Sequence, residues 1–221
     1  MPVYTERILP WFMELVLTRR VFRAQRAAAL REATGAVLEV GFGFGASVAH
    51  YPGGARVRSL VGLDANPGML RRAPRHITGA SFPVRLVRSS ATRLPFPGES
   101  FDTVVTQWTL CSLPDLPRAM EEVRRVLRPG GRFLFLEHGL AREPGLARRQ
   151  RLFSPVQRLL AGGCRLDVQI ESLVGAAGFR VDRLDRYEAP PPGPRVLRQM
   201  YRGVARREAP GSLSGSCVGP Y

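Results

Sequence analysis

The chain has 221 residues, 44% of them hydrophobic, enough for one domain with a full core and tight for two. Its formal charge of +15 rests on 33 basic residues, all arginine and spread along the chain, which permits an anionic partner without demanding a nucleic acid. No apolar run is long enough to span a bilayer; the best, residues 8–17, contains Glu14 and lacks the basic front and cleavage site of a secretory signal, so cytoplasmic residence is expected.

Residues 10–31 read as one helix: Pro10 suits a first turn, and Phe12, Leu15, Arg19 and Phe22 recur at helical spacing. Residues 36–41 (AVLEVG) form a short apolar run that closes in glycine, as a buried strand would, and residues 56–64 (RVRSLVGLD) form a second that ends in an acid. Residues 66–73 open a helix with Pro67 at an early position, and residues 84–90 and 101–108 read as strands three and four. Residues 115–127 form an amphipathic helix with Met120, Val123 and Leu127 on one face. Pro129-Gly130-Gly131 breaks it, and residues 132–138 (RFLFLEH) are a fifth strand. Further on, the spacing predicts helices over 144–160 and 170–177, then two last strands over 179–187 and 195–206 around the proline-rich turn 190–194. Near-continuously apolar strands alternating with helices predict an α/β fold whose mostly parallel seven-stranded sheet is covered by helices on both faces. The expected organisation is a helical cap over 1–34, a sheet domain over 35–207 and a Gly/Ser-rich disordered tail over 208–221.

The sharpest local signal is Glu39-Val40-Gly41-Phe42-Gly43-Phe44-Gly45 at the end of the first strand. Glycines let the chain turn tightly and let a ligand lie against the backbone, and a helix expected to follow would offer free N–H groups. Asp64 ends the second strand, where a carboxylate can hold both hydroxyls of a ribose. A glycine loop and an acid at neighbouring strand ends favour a nucleoside-bearing cofactor over a purely structural turn. Gly41-x-Gly43-x-x-Ala46 also fits the dinucleotide fingerprint, so a nicotinamide oxidoreductase is an alternative. Against it stand the absence of lysine, which rules out a Tyr/Lys proton relay, and of a second domain to present a hydride acceptor.

The stretches LEVGFGFG, VGLDANPGML, ATRLPFPGESFDTVVTQWTLCSLPD and EEVRRVLRPGGRFLFLEHG, in that order over residues 38–139, resemble the motif set of class I S-adenosylmethionine-dependent methyltransferases. The flanks YTERILPWFMEL, LLAGGCRLDVQIESLVGAAGF and MYRGVARR are similar to the small-molecule group that includes alkyl-thiol and phospholipid N-methyltransferases. The resemblance implies a single Rossmann-like methyltransferase domain with S-adenosyl-L-methionine as cofactor. It implies that Gly41, Phe42, Gly43 and Gly45 pack under the methionine and ribose portions, that Glu39 positions the amino-acid end and that Asp64 holds the ribose. Ala65 and Met69 would flank the adenine, Ser90 and Ala91 meet its edge, and Thr106 and Gln107 face the methionine. The family often has an acid where this chain has Ser90, and a serine accepts a weaker hydrogen bond.

Pockets in open α/β sheets lie beyond the carboxyl ends of the strands, which places Gln107, Trp108, Glu137 and His138 near the chemistry. His138 is the candidate general base, with a backbone-bonded strand-end histidine as the alternative; Trp108, Glu137 and Cys164 are candidates for the acceptor pocket. Cys111, Cys164 and Cys217 show neither a CxxC pair nor a Cys/His metal spacing, so no metal is expected and the thiols read as buried or free. His50 and His76 read as surface residues. The acceptor implied is a small, lipophilic molecule, a thiol first and a phospholipid amine second, with peripheral contact to an anionic membrane through the N-terminal segment as a further expectation. Position 106–109 reads Thr-Gln-Trp-Thr and not an Asn/Asp-Pro-Pro-aromatic segment, which disfavours a nucleic-acid substrate; a non-catalytic cofactor-binding module stays open. The sequence says nothing of oligomeric state.

Overall fold

The computed structural model describes residues 3–191 and 193–208. The expected tail lies outside the described residues apart from Glu208. Seven strands form one sheet: β1 (Gly35–Val40), β2 (Val57–Asp64), β3 (Val84–Arg88), β4 (Phe101–Gln107), β5 (Leu127–His138), β6 (Phe179–Glu188) and β7 (Gln199–Arg207). Their order is β3-β2-β1-β4-β5-β7-β6. The first five run parallel, and β7 pairs antiparallel with both β5 and β6. The helices are α1 (Leu9–Leu17), α2 (Arg20–Leu30), α3 (Pro67–Leu70), α4 (Pro74–Ile77), α5 (Leu116–Val126), α6 (Pro144–Leu160) and α7 (Ile170–Ala176).

Successive strand residues point to opposite faces of the sheet, and that alternation divides the core in two. Leu38, Val104, Phe133 and Phe135 pack on Met120 and Val123 of α5 and on Ile170 and Val174 of α7. On the other face Val37, Leu60, Val105 and Leu134 pack with Leu30 of α2 and with Tyr51. Helices therefore cover both faces, as the near-continuous apolar strands require.

Local chemistry redraws several expected elements. The single helix over 10–31 is two. The Thr18 hydroxyl donates to the Glu14 carbonyl at 2.7 Å and Arg19 turns extended (ψ 152°), so α2 starts afresh on the sheet. The helix expected after the glycine loop is only a 3₁₀ turn at Val48–His50. Prolines at 67 and 74 divide the segment beyond Asp64 into two single turns. The helix over 115–127 stops at Val126, and β5 begins at once at Leu127, with Gly130 at φ +75° carrying the bulged pairing with β4. Trp108 leaves β4 in the left-handed region (φ 51°). Residues Arg195–Leu197 form a 3₁₀ turn, so β7 starts at Gln199.

Candidate active site

β1, β2 and β4 lie side by side, and a cavity of about 410 Å³ opens at their carboxyl ends. Glu39, Gly41, Phe42, Gly43, Asp64, Ala65, Met69, Ser90, Ala91, Gln107 and Trp108 all line it. Gly45, Thr106, Glu137, His138 and Cys164 are not among its walls.

The glycines do different work. A side chain at Gly41 (φ +75°) would run into Thr109, and Gly45 (φ +83°) turns the loop beside the Phe42 ring. Gly43 (φ +60°) faces open space within the cavity wall, a bare backbone cradle. Asp64 steadies that loop: its carboxylate accepts from the Gly43 N–H and the Asn66 N–H, each at 2.8 Å. Burial raises its pKa, and these N–H groups pull the other way.

Glu39 is buried, and one of its oxygens accepts from Ser47 Oγ at 2.7 Å and Tyr51 OH at 2.8 Å. Burial pushes its carboxyl up to about 7 against those bonds and the charge of Arg26. Arg26, on α2, is buried, lines the same cavity and donates to the Leu17 carbonyl at 2.6 Å. Burial lowers its pKa to about 10, so the guanidinium stays charged at neutral pH. Its guanidinium carbon lies 5.0 Å from the Trp108 ring centroid, so one face of that indole already carries a cation. Arg26 was not singled out in the sequence. Its signal was an arginine four residues beyond Phe22, on the stretch that ends in the buried Ala29 and Leu30.

Gln107 has both amide atoms buried without a hydrogen-bond partner, and so has the indole nitrogen of Trp108. Buried polar atoms without partners are rare in native structures, and here both residues face the cavity. S-adenosylmethionine fits this donor set. Arg26, Glu39 and Gln107 suit a charged amino-acid end, Asp64 suits a ribose diol over the Gly43 cradle, and Ala65, Met69 and Ala91 form the apolar side an adenine needs. Ser90, at its rim, is exposed, and its hydroxyl already lies 2.8 Å from that of Thr92.

The far side of the cavity comes from outside the sheet. Leu9, Met13 and Leu17 of α1 and Ala161 and Gly162 beyond α6 complete the wall. Tyr4 OH donates to the Leu160 carbonyl at 2.5 Å, Asn66 to the Thr5 carbonyl at 2.8 Å, and Arg72 pairs with Glu14. The same contact region corrects the expectation for His76: it is half-buried, with Nε2 2.8 Å from Glu14, and His50 is half-buried as well. Trp11, Phe12 and Leu15 of α1 and Leu152, Phe153, Val156 and Leu159 of α6 are exposed.

Glu137 is fully buried and accepts from the backbone N–H of Thr109 (2.8 Å) and Leu110 (3.1 Å), so it pins the turn after β4. Burial pushes it up to about 8. His138 has Nδ1 3.7 Å from Cys164 Sγ, and Cys164 Sγ lies 3.5 Å from Cys111 Sγ.

A family model described as Methyltransferase domain matches residues 38–135. Human Thiol S-methyltransferase TMT1B is 31% identical over 173 residues, 73% of this chain and 68% of that protein. Human Thiol S-methyltransferase TMT1A is 33% identical over 162 residues, and the match covers 70% of this chain but only 64% of that relative. A phosphatidylethanolamine N-methyltransferase of Cereibacter sphaeroides is 37% identical over 125 residues, 56% of this chain and 60% of the relative. In fold the chain is similar to the YcgJ protein of Bacillus subtilis, with a TM-score of 0.63 at 20% identity over 84% of this chain and 97% of that one. The seven-stranded sheet, the cradle at its strand ends and these relatives together place the chain in the S-adenosylmethionine-dependent methyltransferase family.

Proposed function

We propose that this chain transfers the methyl group of S-adenosylmethionine to a small lipophilic acceptor, a thiol first and a phospholipid amine second, and releases S-adenosylhomocysteine. One observation carries the reading of the acceptor. The cavity that suits the cofactor is closed by α1 and the end of α6, and both helices leave large apolar side chains exposed. An apolar molecule can travel along such a surface to reach the cavity. The relatives named as thiol S-methyltransferases and as a phosphatidylethanolamine N-methyltransferase support the same two acceptor classes.

Methyl transfer from a sulfonium is an in-line displacement, so the protein chiefly aligns the reacting atoms and excludes water. When bound, the cofactor supplies the electrophilic methyl. In this reading Arg26, Glu39 and Gln107 hold its amino-acid end, and Asp64 holds the ribose over Gly41 and Gly43. Phe42, Ala65, Met69, Ser90 and Ala91 enclose the remainder, Gly45 shapes the loop and Thr106 supports it from behind. Trp108 walls the acceptor side, Glu137 holds the turn beside it, and Cys164 backs the end of α6. A thiol must lose its proton to become the better nucleophile, and we assign that proton to His138.

The phospholipid reading has its own support: Arg148, Arg149, Arg151 and Arg158 are exposed on α6, the helix that exposes Leu152, Phe153 and Leu159. Apolar side chains beside arginines suit peripheral docking on an anionic surface. Among the described residues no helix is long and apolar enough to cross a membrane.

The test is a panel of thiols, amines and phospholipid vesicles, scored by S-adenosylhomocysteine release, beside a thermal-shift series with S-adenosylmethionine, S-adenosylhomocysteine and NAD. Thiol turnover without lipid supports the first acceptor, and turnover only with vesicles the second. Stabilisation by NAD alone restores the oxidoreductase reading. Cofactor binding with no turnover on any acceptor leaves a binding module.

A further inference from the structure

We propose that Cys111, His138 and Cys164 form a metal site that binds one Zn²⁺ ion through two thiolates and one imidazole, with the fourth position left to an exogenous ligand. The three residues come from separate segments. Cys111 is in the turn after β4, His138 ends β5, and Cys164 follows α6. The fold draws their donor atoms together until all lie within 4.8 Å of one another.

The spacing suits one shared ion. Tetrahedral zinc with Zn–S of about 2.3 Å and Zn–N of about 2.0–2.1 Å sets its donors roughly 3.6–3.8 Å apart. The two sulfurs are separated by 3.5 Å, and Cys164 Sγ is 3.7 Å from His138 Nδ1. A disulfide needs about 2.05 Å, so the sulfurs stand at ligand spacing and not at bonding distance.

The chemistry agrees. Two thiolates and an imidazole are soft and intermediate donors of the kind that selects zinc over magnesium or calcium. Both sulfurs are buried. A divalent ion would balance the charge of two thiolates formed on binding in this buried setting. Three protein ligands with a position to spare is the coordination of catalytic zinc, whereas structural sites are closed by four. Ser112 and Gly162, close in the chain to the two cysteines, line the main cavity, so the metal would sit beside the place where an acceptor is expected.

The absence of a Cys/His spacing motif does not weigh against this site, because its ligands come from three elements and not from one loop. Coordination through Nδ1 makes His138 a ligand in the metal-loaded chain, so the role of base proposed above belongs to the metal-free chain.

Metal binding is read without any acceptor, which keeps this test independent of the proposed reaction. The full chain is purified in reductant, stripped with a chelator and titrated with Co²⁺, then competed with Zn²⁺. The expected result is one equivalent of Co²⁺ with thiolate-to-metal charge-transfer absorption, displaced by Zn²⁺. Cys111→Ser and Cys164→Ser should each lower Zn²⁺ affinity at least about tenfold against a chromophoric chelator, while far-ultraviolet circular dichroism of the stripped chains stays unchanged. Cys217→Ser, outside the described residues, should bind as the parent does. If either serine variant fails to fold, His138→Gln provides the same readout. Absence of the charge-transfer band, undiminished affinity in the folded variants, or a Cys111–Cys164 disulfide in freshly isolated protein would each overturn the proposal.

Discussion

Glu39 sits where its charge is disfavoured, and that gives a pH dependence with a definite sign. Its carboxyl is raised from the ordinary 4.5 to about 7, chiefly by burial. Below 4.5 both folded and unfolded chains hold the proton. Between 4.5 and 7 the unfolded chain releases it first, so this residue's contribution to folding weakens as pH rises through that window, by on the order of 3 kcal/mol in total. Glu39→Gln should therefore gain thermal stability relative to the parent between pH 5 and pH 8. A difference in melting temperature that does not change with pH would refute the reading. Asp64 and Ser90 make a second contrast. A charge-assisted bond to ribose is worth roughly 1.5–3 kcal/mol and a neutral one about 1 kcal/mol. Titration calorimetry with S-adenosylhomocysteine should show Asp64→Ala losing about ten- to a hundredfold in affinity and Ser90→Ala about fivefold or less. Ser90 has the less to lose because its hydroxyl is already engaged with Thr92. Equal losses would mean that one of the two contacts is misassigned.

The loop after β1 separates folding from binding within a few residues. Gly41→Ala collides with Thr109 in the left-handed region, so it should lower the melting temperature strongly. Gly43→Ala meets nothing within 4 Å and should cost about 1–2 kcal/mol of backbone strain. It should still cut cofactor affinity at least tenfold, because its methyl would fill the cradle. Calorimetry and thermal melts on the two variants check the pair, and Gly43→Ala binding as the parent does would remove Gly43 from the site. Elements with strong periodicity were legible in the sequence: five apolar strands, the amphipathic α5 and the glycine loop all stand within a few residues of their expected places. Their carboxyl ends then carried most of the cofactor wall with them. What escaped was set by single tertiary contacts. The Thr18 hydroxyl bonded to Glu14 and the extended Arg19 divide one periodic stretch into α1 and α2. No periodicity distinguishes an arginine that enters a cavity, such as Arg26, from one that faces water. Cys111 and Cys164 meet only because β4 and α6 end at the same place, which linear spacing does not encode.

At the scale of the whole molecule, the apolar residues that α1 and α6 expose carry a prediction of their own. The chain should co-sediment with anionic vesicles and dissociate as salt is raised, since the arginine contribution is screened while the apolar one is not. Replacing Phe12, Leu152, Phe153 and Leu159 together by serine should abolish co-sedimentation while leaving S-adenosylhomocysteine affinity within about twofold. Vesicle binding unaffected by those changes would separate this face from the membrane. The interruption at Thr18–Arg19 has a kinetic consequence. α1 is covalently continuous with α2 but is joined through an extended residue, and it roofs the cavity that α2 helps to wall. A nucleoside beneath that roof is expected to exchange more slowly than an apolar acceptor that arrives along its outer edge. Turnover is then expected to be ordered, with the sulfonium donor first on and its demethylated product last off, across one nine-residue helix; S-adenosylhomocysteine competing with S-adenosylmethionine alone in product-inhibition kinetics would bear this out, and a random pattern would refute it.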